Sequence, residues 1–151
     1  MDDPKPHVLV VEDDKQLREL FRRYLTEIEC DVWEAGSADE AFPLALEADL
    51  VVLDLGLNGQ NGHGLLSRLR EVGCYVPVVI VTGEDPDDGD RRTRLEALEI
   101  VFWFQKGGPL SQVIHVIQRA LGAMRDLRSI CEADGKLSLL IETARMRRLI
   151  A

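Results

Sequence analysis

Histidine and cysteine are scarce in this chain, and neither stands in the spacing of a metal-binding motif. The three cysteines, Cys30, Cys74 and Cys131, are odd in number and widely separated, so they predict neither a zinc motif nor a full set of disulfides. We interpret them as free thiols in a reducing compartment, which predicts a cytoplasmic protein. The three histidines are scattered and are predicted to be structural or solvent-facing.

Long apolar runs and glycine-rich nucleotide loops are also lacking. No stretch of about 18 apolar residues is present, which predicts no contact with a membrane through a spanning helix. The first residues, MDDPKPH, lack the basic and apolar regions of a signal peptide. Neither GxGxxG nor GxxxxGK[ST] occurs, so the common dinucleotide and nucleoside-triphosphate loops are excluded.

Positive charge is in deficit, since the 151 residues carry a formal net charge of −9. This balance argues against a nucleic-acid-binding surface over the whole chain. The last 28 residues carry +2 and the preceding residues −11, so the acid is concentrated in the main part of the chain. The basic group formed by Arg145, Arg147 and Arg148 is interpreted as a solvated helix face. We therefore predict that this chain binds no nucleic acid.

Short apolar runs alternate with segments of helical periodicity. The runs predict five strands, at His7–Val11, Asp31–Ala35, Leu50–Leu53, Val76–Val81 and Ile100–Phe104. The periodic segments predict five helices: one that starts at Asp13 and Asp14 and has an apolar face from Leu17 to Ile28, one from the capping box at Ser37, and others at about Gly62–Glu71, at Asp90–Leu98 and from Leu110 onward. This alternation is typical of a doubly wound, five-stranded parallel α/β sheet.

The end of the chain is predicted to be a helical extension. The pattern of the fifth helix persists to about Ile130, and Asp134-Gly135 predicts a break. Residues 136–151 can form another amphipathic helix, but they are too few for a second core. We therefore predict a main domain at residues 6–123 and a helical extension or linker, for dimerisation or partner contact, at residues 124–151.

Charged and polar side chains follow four of the predicted strands. Glu12 and Asp13 follow the first, Asp54 the third, Thr82 the fourth and Lys106 the fifth. Because the carboxyl ends of parallel strands meet at one edge, these residues are predicted to converge there.

The chemistry of this set favours phosphoryl transfer. Three neighbouring carboxylates repel one another, and a bound Mg²⁺ would relieve the repulsion. Asp54 alone could be a nucleophile, a metal ligand or a turn residue. Beside a divalent metal and the positive charge of Lys106, it is suited to in-line attack on phosphorus.

The order of these motifs resembles the receiver domain of two-component response regulators. The resemblance covers roughly residues 6–123 and is carried by VLVVEDD, VVLDLGLNGQNG, VPVVIVTG and FWFQKGG. It implies a flavodoxin-like (βα)5 fold. It also implies that Asp54 is the phosphoacceptor, with Mg²⁺ held by Asp13, by Glu12 through water, by Asp54 and by the backbone carbonyl of Gly56.

The resemblance assigns further roles at the ends of the last two strands. Lys106 would hold the phosphoryl group, Thr82 would be the switch hydroxyl and Trp103 the switch aromatic. The phosphoryl donor would be a phosphohistidine on a histidine kinase or phosphotransfer protein. The chain would catalyse only its own phosphorylation and dephosphorylation, so it is predicted not to be an enzyme in the ordinary sense.

Three departures from the family pattern lie near these residues. Gly107 follows Lys106 where proline is usual, which predicts a trans peptide bond because a non-proline cis bond costs about 2.5–4 kcal/mol. Asn58 replaces a common proline, and Trp103 is bulkier than the usual Tyr or Phe. The segment 84–90, with five carboxylates, is predicted to be an acidic loop.

Several interpretations of the output remain open. The chain is predicted to bind a partner or a second copy through the face formed by the fourth helix, fifth strand and fifth helix, extended by residues 124–151. It could instead be the excised receiver of a longer regulator or hybrid kinase, or a receiver-like dimerisation module that is never phosphorylated. Haloacid-dehalogenase-like phosphatases also place a nucleophilic aspartate after a strand, but Gly56 stands where their second carboxylate is needed.

Overall fold

The fold rests on five parallel strands in one sheet. In the computed structural model, which describes residues 4–57, 62–83 and 102–134, with side chains through 126, the spatial order of the strands is β2-β1-β3-β4-β5. Their bounds are β1 His7–Val11, β2 Asp31–Ala35, β3 Leu50–Leu53, β4 Val78–Thr82 and β5 Phe102–Gln105. β1, β3 and β4 are almost completely buried, as expected for strands covered on both faces.

Three helices connect the described part of the sheet. They are α1 Lys15–Glu27, α2 Ala38–Ala45 and α3 Gly62–Glu71. Asp14 caps α1 by accepting from the N–H groups of Gln16 and Leu17. Ser37 caps α2 by accepting from the N–H of Glu40. The Glu40 carboxylate reaches back to the N–H of Gly36 rather than to that of Ser37.

The two faces of the sheet are filled by alternate strand residues. One face packs with α2 and α3 into a core that contains Leu9, Val11, Val51, Leu53, Val78 and Ile80. α1 contacts β1 and β2 and buries Phe21 and Leu25. This arrangement holds the carboxyl ends of β1 and β3 side by side, since Val11 lies opposite Leu53 in register.

The sequence predictions of the elements are confirmed for the described residues, with small shifts at two strands. β4 begins two residues later than predicted and includes Thr82, and β5 extends to Gln105. Pro43 lies inside α2, which is a short helix of eight residues as its position suggested. The predicted fourth helix at Asp90–Leu98 and the acidic loop at 84–90 lie outside the described residues.

The chain divides into two compact units, Met1–Gly108 and Pro109–Ala151. The second contains helix α4, Leu110–Asp134, which is the fifth helix of the sequence prediction. Its buried side chains follow helical spacing at Val113, Ile114, Ile117, Ala120 and Met124. α4 runs without a break through the predicted boundary at residues 123 and 124. Among the described residues, no helix is long and apolar enough to cross a membrane.

Candidate functional site

Three carboxylates converge at the carboxyl edge of the sheet. Glu12 and Asp13 directly follow β1, and Asp54 directly follows β3. Each offers an oxygen, and these oxygens lie within 4.8 Å of one another. Glu12 is 2% exposed and Asp54 5%, whereas Asp13 is partly exposed. The three carboxylates meet because β1 and β3 are neighbours in a parallel sheet and end at the same edge.

Lys106 supplies the positive charge that the carboxylates require. It follows β5, and its ammonium lies 3.1 Å from Glu12 Oε1 and 3.0 Å from Asp54 Oδ2. The N–H of Lys106 donates to the carbonyl of Thr82 at 2.8 Å, which fixes its backbone to β4. Gly107 adopts a positive φ of 96°, and the Lys106–Gly107 bond is trans, as predicted. A glycine tolerates this backbone conformation without strain.

The site shifts the pKa of both Glu12 and Lys106. Burial raises the pKa of Glu12 to about 7, and the neighbouring Asp54 charge adds to the rise. The backbone N–H of Asp14 and the Lys106 ammonium act in the opposite direction and lower this pKa. Burial lowers the pKa of Lys106, but the hydrogen bonds and charges of Asp54 and Glu12 outweigh it, so this pKa is raised. The ammonium therefore stays protonated near neutral pH, whereas burial favours the neutral form of Glu12.

The backbone around Asp54 holds its carboxylate in place. The N–H of Gly56 donates to Asp54 Oδ1 at 3.1 Å, so Gly56 and Lys106 engage different oxygens. The N–H of Asp54 donates to the carbonyl of Val11 at 3.0 Å. At the start of α3, Gly62 packs so closely that a Cβ there would lie 2.8 Å from both the Asp54 carbonyl oxygen and Leu55 Cα.

Thr82 and Trp103 lie on the two strands next to this cluster. Thr82 ends β4, is fully buried and stands opposite Gln105 in register. Trp103 stands opposite Ile80 and packs against the core on the α2–α3 face. Its indole Nε1 is buried and has no hydrogen-bond partner in the described part of the chain. Their roles as switch residues remain predictions.

Sequence reasoning missed two residues that support the site. Gly62 is one, because its close approach to the Asp54 backbone is a contact between α3 and the end of β3. Arg18 is the other, since its Nη1 donates to the backbone carbonyl of Glu12 at 2.8 Å. An arginine in the first turns of an amphipathic helix carries no sequence signal of such a contact, so only the tertiary structure reveals it.

The donor set fits a small, hard divalent cation. The three carboxylate oxygens are close enough for one ion to contact them with little adjustment. Oxygen ligands and a partly exposed Asp13 suit Mg²⁺, which retains several waters. The set contains no soft ligand of the kind that zinc or copper prefers.

The model of the response regulator receiver domain matches residues 8–104, about two thirds of the chain. The chain belongs to the receiver-domain family of two-component response regulators. Receiver domains are phosphorylation switches that bind Mg²⁺ at an acidic pocket and interact with histidine kinases or phosphotransfer proteins.

Curated relatives of this receiver domain include transcriptional regulators. The transcriptional regulatory protein AruR of Pseudomonas aeruginosa is 40% identical over 98 residues, which cover 60% of this chain and 39% of that protein. The transcriptional regulatory protein ResD of Bacillus subtilis is 33% identical over 94 residues, covering 61% and 37%. The chain thus spans about two fifths of the length of these relatives.

Solved structures confirm the receiver fold. The signal receiver domain of a putative Luxo repressor protein from Vibrio parahaemolyticus superposes with a TM-score of 0.73 at 22% identity, covering 85% of this chain and 98% of that one. A CheY-like receiver domain from Methanospirillum hungatei gives 0.71 at 17% identity, covering 79% and 95%. At these identities the likeness concerns the fold alone.

Proposed function

We propose that this receiver domain accepts a phosphoryl group on Asp54 from a phosphohistidine of a histidine kinase or phosphotransfer protein. One observation carries the proposal: the Lys106 ammonium lies 3.0 Å from Asp54 Oδ2, at the edge where the three carboxylates converge. A buried carboxylate beside a fixed cation supports a nucleophilic role for Asp54, because phosphoryl transfer requires such an arrangement.

In the proposed transfer, an Asp54 carboxylate oxygen attacks phosphorus in line with the donor nitrogen. The new P–O bond forms as the P–N bond to the imidazole breaks, and the electron pair remains on that nitrogen. Lys106 then exchanges its bond to Asp54 for one to a phosphoryl oxygen. The hydroxyl of Thr82 donates to another phosphoryl oxygen, and this movement, with that of Trp103, reports the phosphorylated state.

Mg²⁺ would be held by Asp13, Asp54 and the carbonyl of Gly56, with Glu12 acting through water. When bound, such an ion would supply positive charge against that of the phosphoryl oxygens. Two groups of the chain itself act on Asp54: the N–H of Gly56 orients its carboxylate, and Lys106 compensates its charge. The chain then catalyses only its own phosphorylation and dephosphorylation.

The output proposed for this receiver is a change in protein contacts. Residues 6–123 form the switch, and residues 124–151 extend the face of the predicted fourth helix, fifth strand and fifth helix toward a partner or a second copy. The relatives are named transcriptional regulators, which supports a regulatory output. We propose a cytoplasmic location and no direct binding of nucleic acid by these residues.

The central test is phosphorylation followed by mass measurement. Wild-type protein incubated with acetyl phosphate and Mg²⁺ is expected to gain one phosphoryl mass, and chelation of the metal should prevent the gain. Asp54→Asn should abolish it. Asp31→Asn, at the opposite end of the sheet, is the matched control and should behave as wild type. An adduct that persists in Asp54→Asn, or no adduct with Mg²⁺ and a competent kinase, would contradict the proposal.

A further inference from the structure

Arg18 reaches the site at the backbone of Glu12. It lies on α1, one turn after the capping residue Asp14, and its Nη1 donates to the backbone carbonyl of Glu12 at 2.8 Å. Its side chain is 22% exposed, so the guanidinium is largely covered. A charge-assisted bond to a carbonyl in such a position is stronger than one in open water.

The carbonyl that Arg18 holds belongs to the peptide unit that joins Glu12 to Asp13. On the other side of Glu12, its N–H donates to the carbonyl of Ala35 at 3.0 Å. Because a peptide unit is planar, fixing its carbonyl fixes the direction in which the chain continues into Asp13. The two bonds therefore set where both acidic side chains leave the backbone.

Arg18 is itself held by the neighbouring strand β2. Its Nε lies 3.7 Å from Glu34 Oε1, while Arg22 occupies the other oxygen of Glu34 at 2.8 Å. Gly36 leaves room for the guanidinium, since a Cβ built there would lie 3.3 Å from Arg18 Nη1. Arg18 thus connects β2 to the turn that carries Glu12 and Asp13.

We propose that Arg18 is a positioning residue for the divalent cation, acting through the Glu12–Asp13 peptide unit; this rests on the proposed Mg²⁺-dependent function. The expected change in cation affinity has the opposite sign to the change expected from charge alone. By charge alone, removing an arginine near a cation site should strengthen cation binding. If Arg18 instead holds the ligand-bearing turn in place, its removal weakens binding despite the lost repulsion.

The test measures Mg²⁺ affinity by amide NMR, with no phosphodonor present. Arg18→Met is expected to weaken Mg²⁺ binding about 10-fold, the lower end of the usual effect of an outer-shell partner. Arg18→Lys retains the charge and a donor but loses the fork that spans Glu12 and Glu34, so its affinity should lie between those of wild type and Arg18→Met.

Arg22→Met is the matched control. This change removes one positive charge from the same helix and one contact to Glu34. Among the described contacts, however, Arg22 has no bond to Glu12. Its Mg²⁺ affinity should stay close to that of wild type, while urea unfolding shows what each variant loses in stability. The amide spectra also show that each variant is folded.

The outcomes separate this inference from the function on which it rests. Wild type that binds Mg²⁺ and forms the aspartyl phosphate, together with an Arg18→Met variant that binds Mg²⁺ equally or more tightly, would overturn the role of Arg18 alone. Equal weakening in Arg18→Met and Arg22→Met would overturn it as well. Wild type that binds no Mg²⁺ would overturn both proposals.

Discussion

Asp54 is a buried carboxylate with a glycine, Gly56, two residues after it. Its oxygens are engaged by Lys106 and by the N–H of Gly56, and it is 5% exposed. Gly56 has no side chain, and a Cβ built there would lie 3.7 Å from Asp54 Oδ1. A larger residue at this position would therefore begin in ordinary contact with the carboxylate and extend over it.

Gly56→Met should slow the loss of the phosphoryl group from Asp54 several-fold. The methionine would cover the acyl phosphate and hinder the approach of water, whereas glycine has no side chain to do so. The measurement is the decay of the phosphorylated species by mass spectrometry after the phosphodonor has been removed.

Gly64→Met provides the control for this change. Gly64 is exposed on α3, and a Cβ there meets nothing within 4 Å, so this variant should dephosphorylate like wild type. A Gly56→Met rate that is unchanged or faster would show that water reaches the phosphoryl group by a path that residue 56 does not control.

The site residues that could be predicted from the sequence are those that end a strand or directly follow one. Glu12, Asp13, Asp54, Thr82 and Lys106 all satisfy this condition, and the parallel sheet brings the three carboxylates and the ammonium together. Their catalytic roles remain predictions. Arg18 and Gly62 could not be found in this way, because each acts through a contact between a helix and a strand end that neither helical nor strand periodicity indicates.

At the scale of elements, the start of α3 and the end of β3 are fitted to each other. The N–H of Gly62 donates to the carbonyl of Leu55 at 3.2 Å. A Cβ at Gly62 would lie 2.8 Å from two backbone atoms, a distance that real side chains do not adopt. Any side chain here must therefore displace either the helix or the backbone that carries Asp54.

Gly62→Ala should destabilise the protein by about 1–3 kcal/mol, the usual effect of overpacking. It should also slow phosphorylation by acetyl phosphate, because the displaced backbone carries the nucleophile. Urea unfolding measures the first effect, and the initial rate of phosphoryl incorporation measures the second.

Gly64→Ala, two residues further along the same helix, should have the opposite effect on stability. It meets open space and replaces a glycine in a helix, which should stabilise by about 0.5–1 kcal/mol. If Gly62→Ala proved as stable and as reactive as wild type, α3 would not be seated against the Asp54 backbone as described.

The elements themselves were predictable because the local signals agree with the fold. The strand and helix periodicities gave β1, β2, β3 and α3 at their observed bounds. The ends of β4 and β5 were less certain, since a continuous apolar run does not show which of its residues pair. Val76 and Pro77 precede the ladder even though the carbonyl of Pro77 accepts from the N–H of Val51.

At the scale of the whole molecule, α4 extends past the end of the predicted switch domain. It is one helix over Leu110–Asp134, and the break predicted at Asp134-Gly135 falls at the limit of the described residues and remains a prediction. The proposed extension therefore begins inside a helix rather than at a linker. A test of its role in self-association therefore has to separate the loss of the last turns of α4 from the loss of the residues that follow Asp134.

Three chain lengths should differ in oligomeric state if residues 124–151 support a homodimer. The full chain, phosphorylated with acetyl phosphate, should sediment as a dimer, whereas a chain ending at Ala123 should remain a monomer. A chain ending at Asp134 retains the described residues of α4 and shows whether they suffice.

Sedimentation velocity on each chain, with and without phosphorylation, gives the comparison. Far-UV circular dichroism would show that the shortened chains retain their fold. An oligomeric state that is the same in all three would argue against a dimerisation role for the extension, while leaving the chemistry at Asp54 untouched.

The bond from Lys106 to Glu12 spans 94 positions of the chain. Since a protein is synthesised from its N-terminus, both buried carboxylates leave the ribosome well before the ammonium that compensates them. A nascent chain that ends at β4 contains the acidic pocket without its internal counter-charge. The pocket therefore acquires its own cation, the Lys106 ammonium, only after β5 has been synthesised, and until then an ion from the surrounding solution is the available substitute.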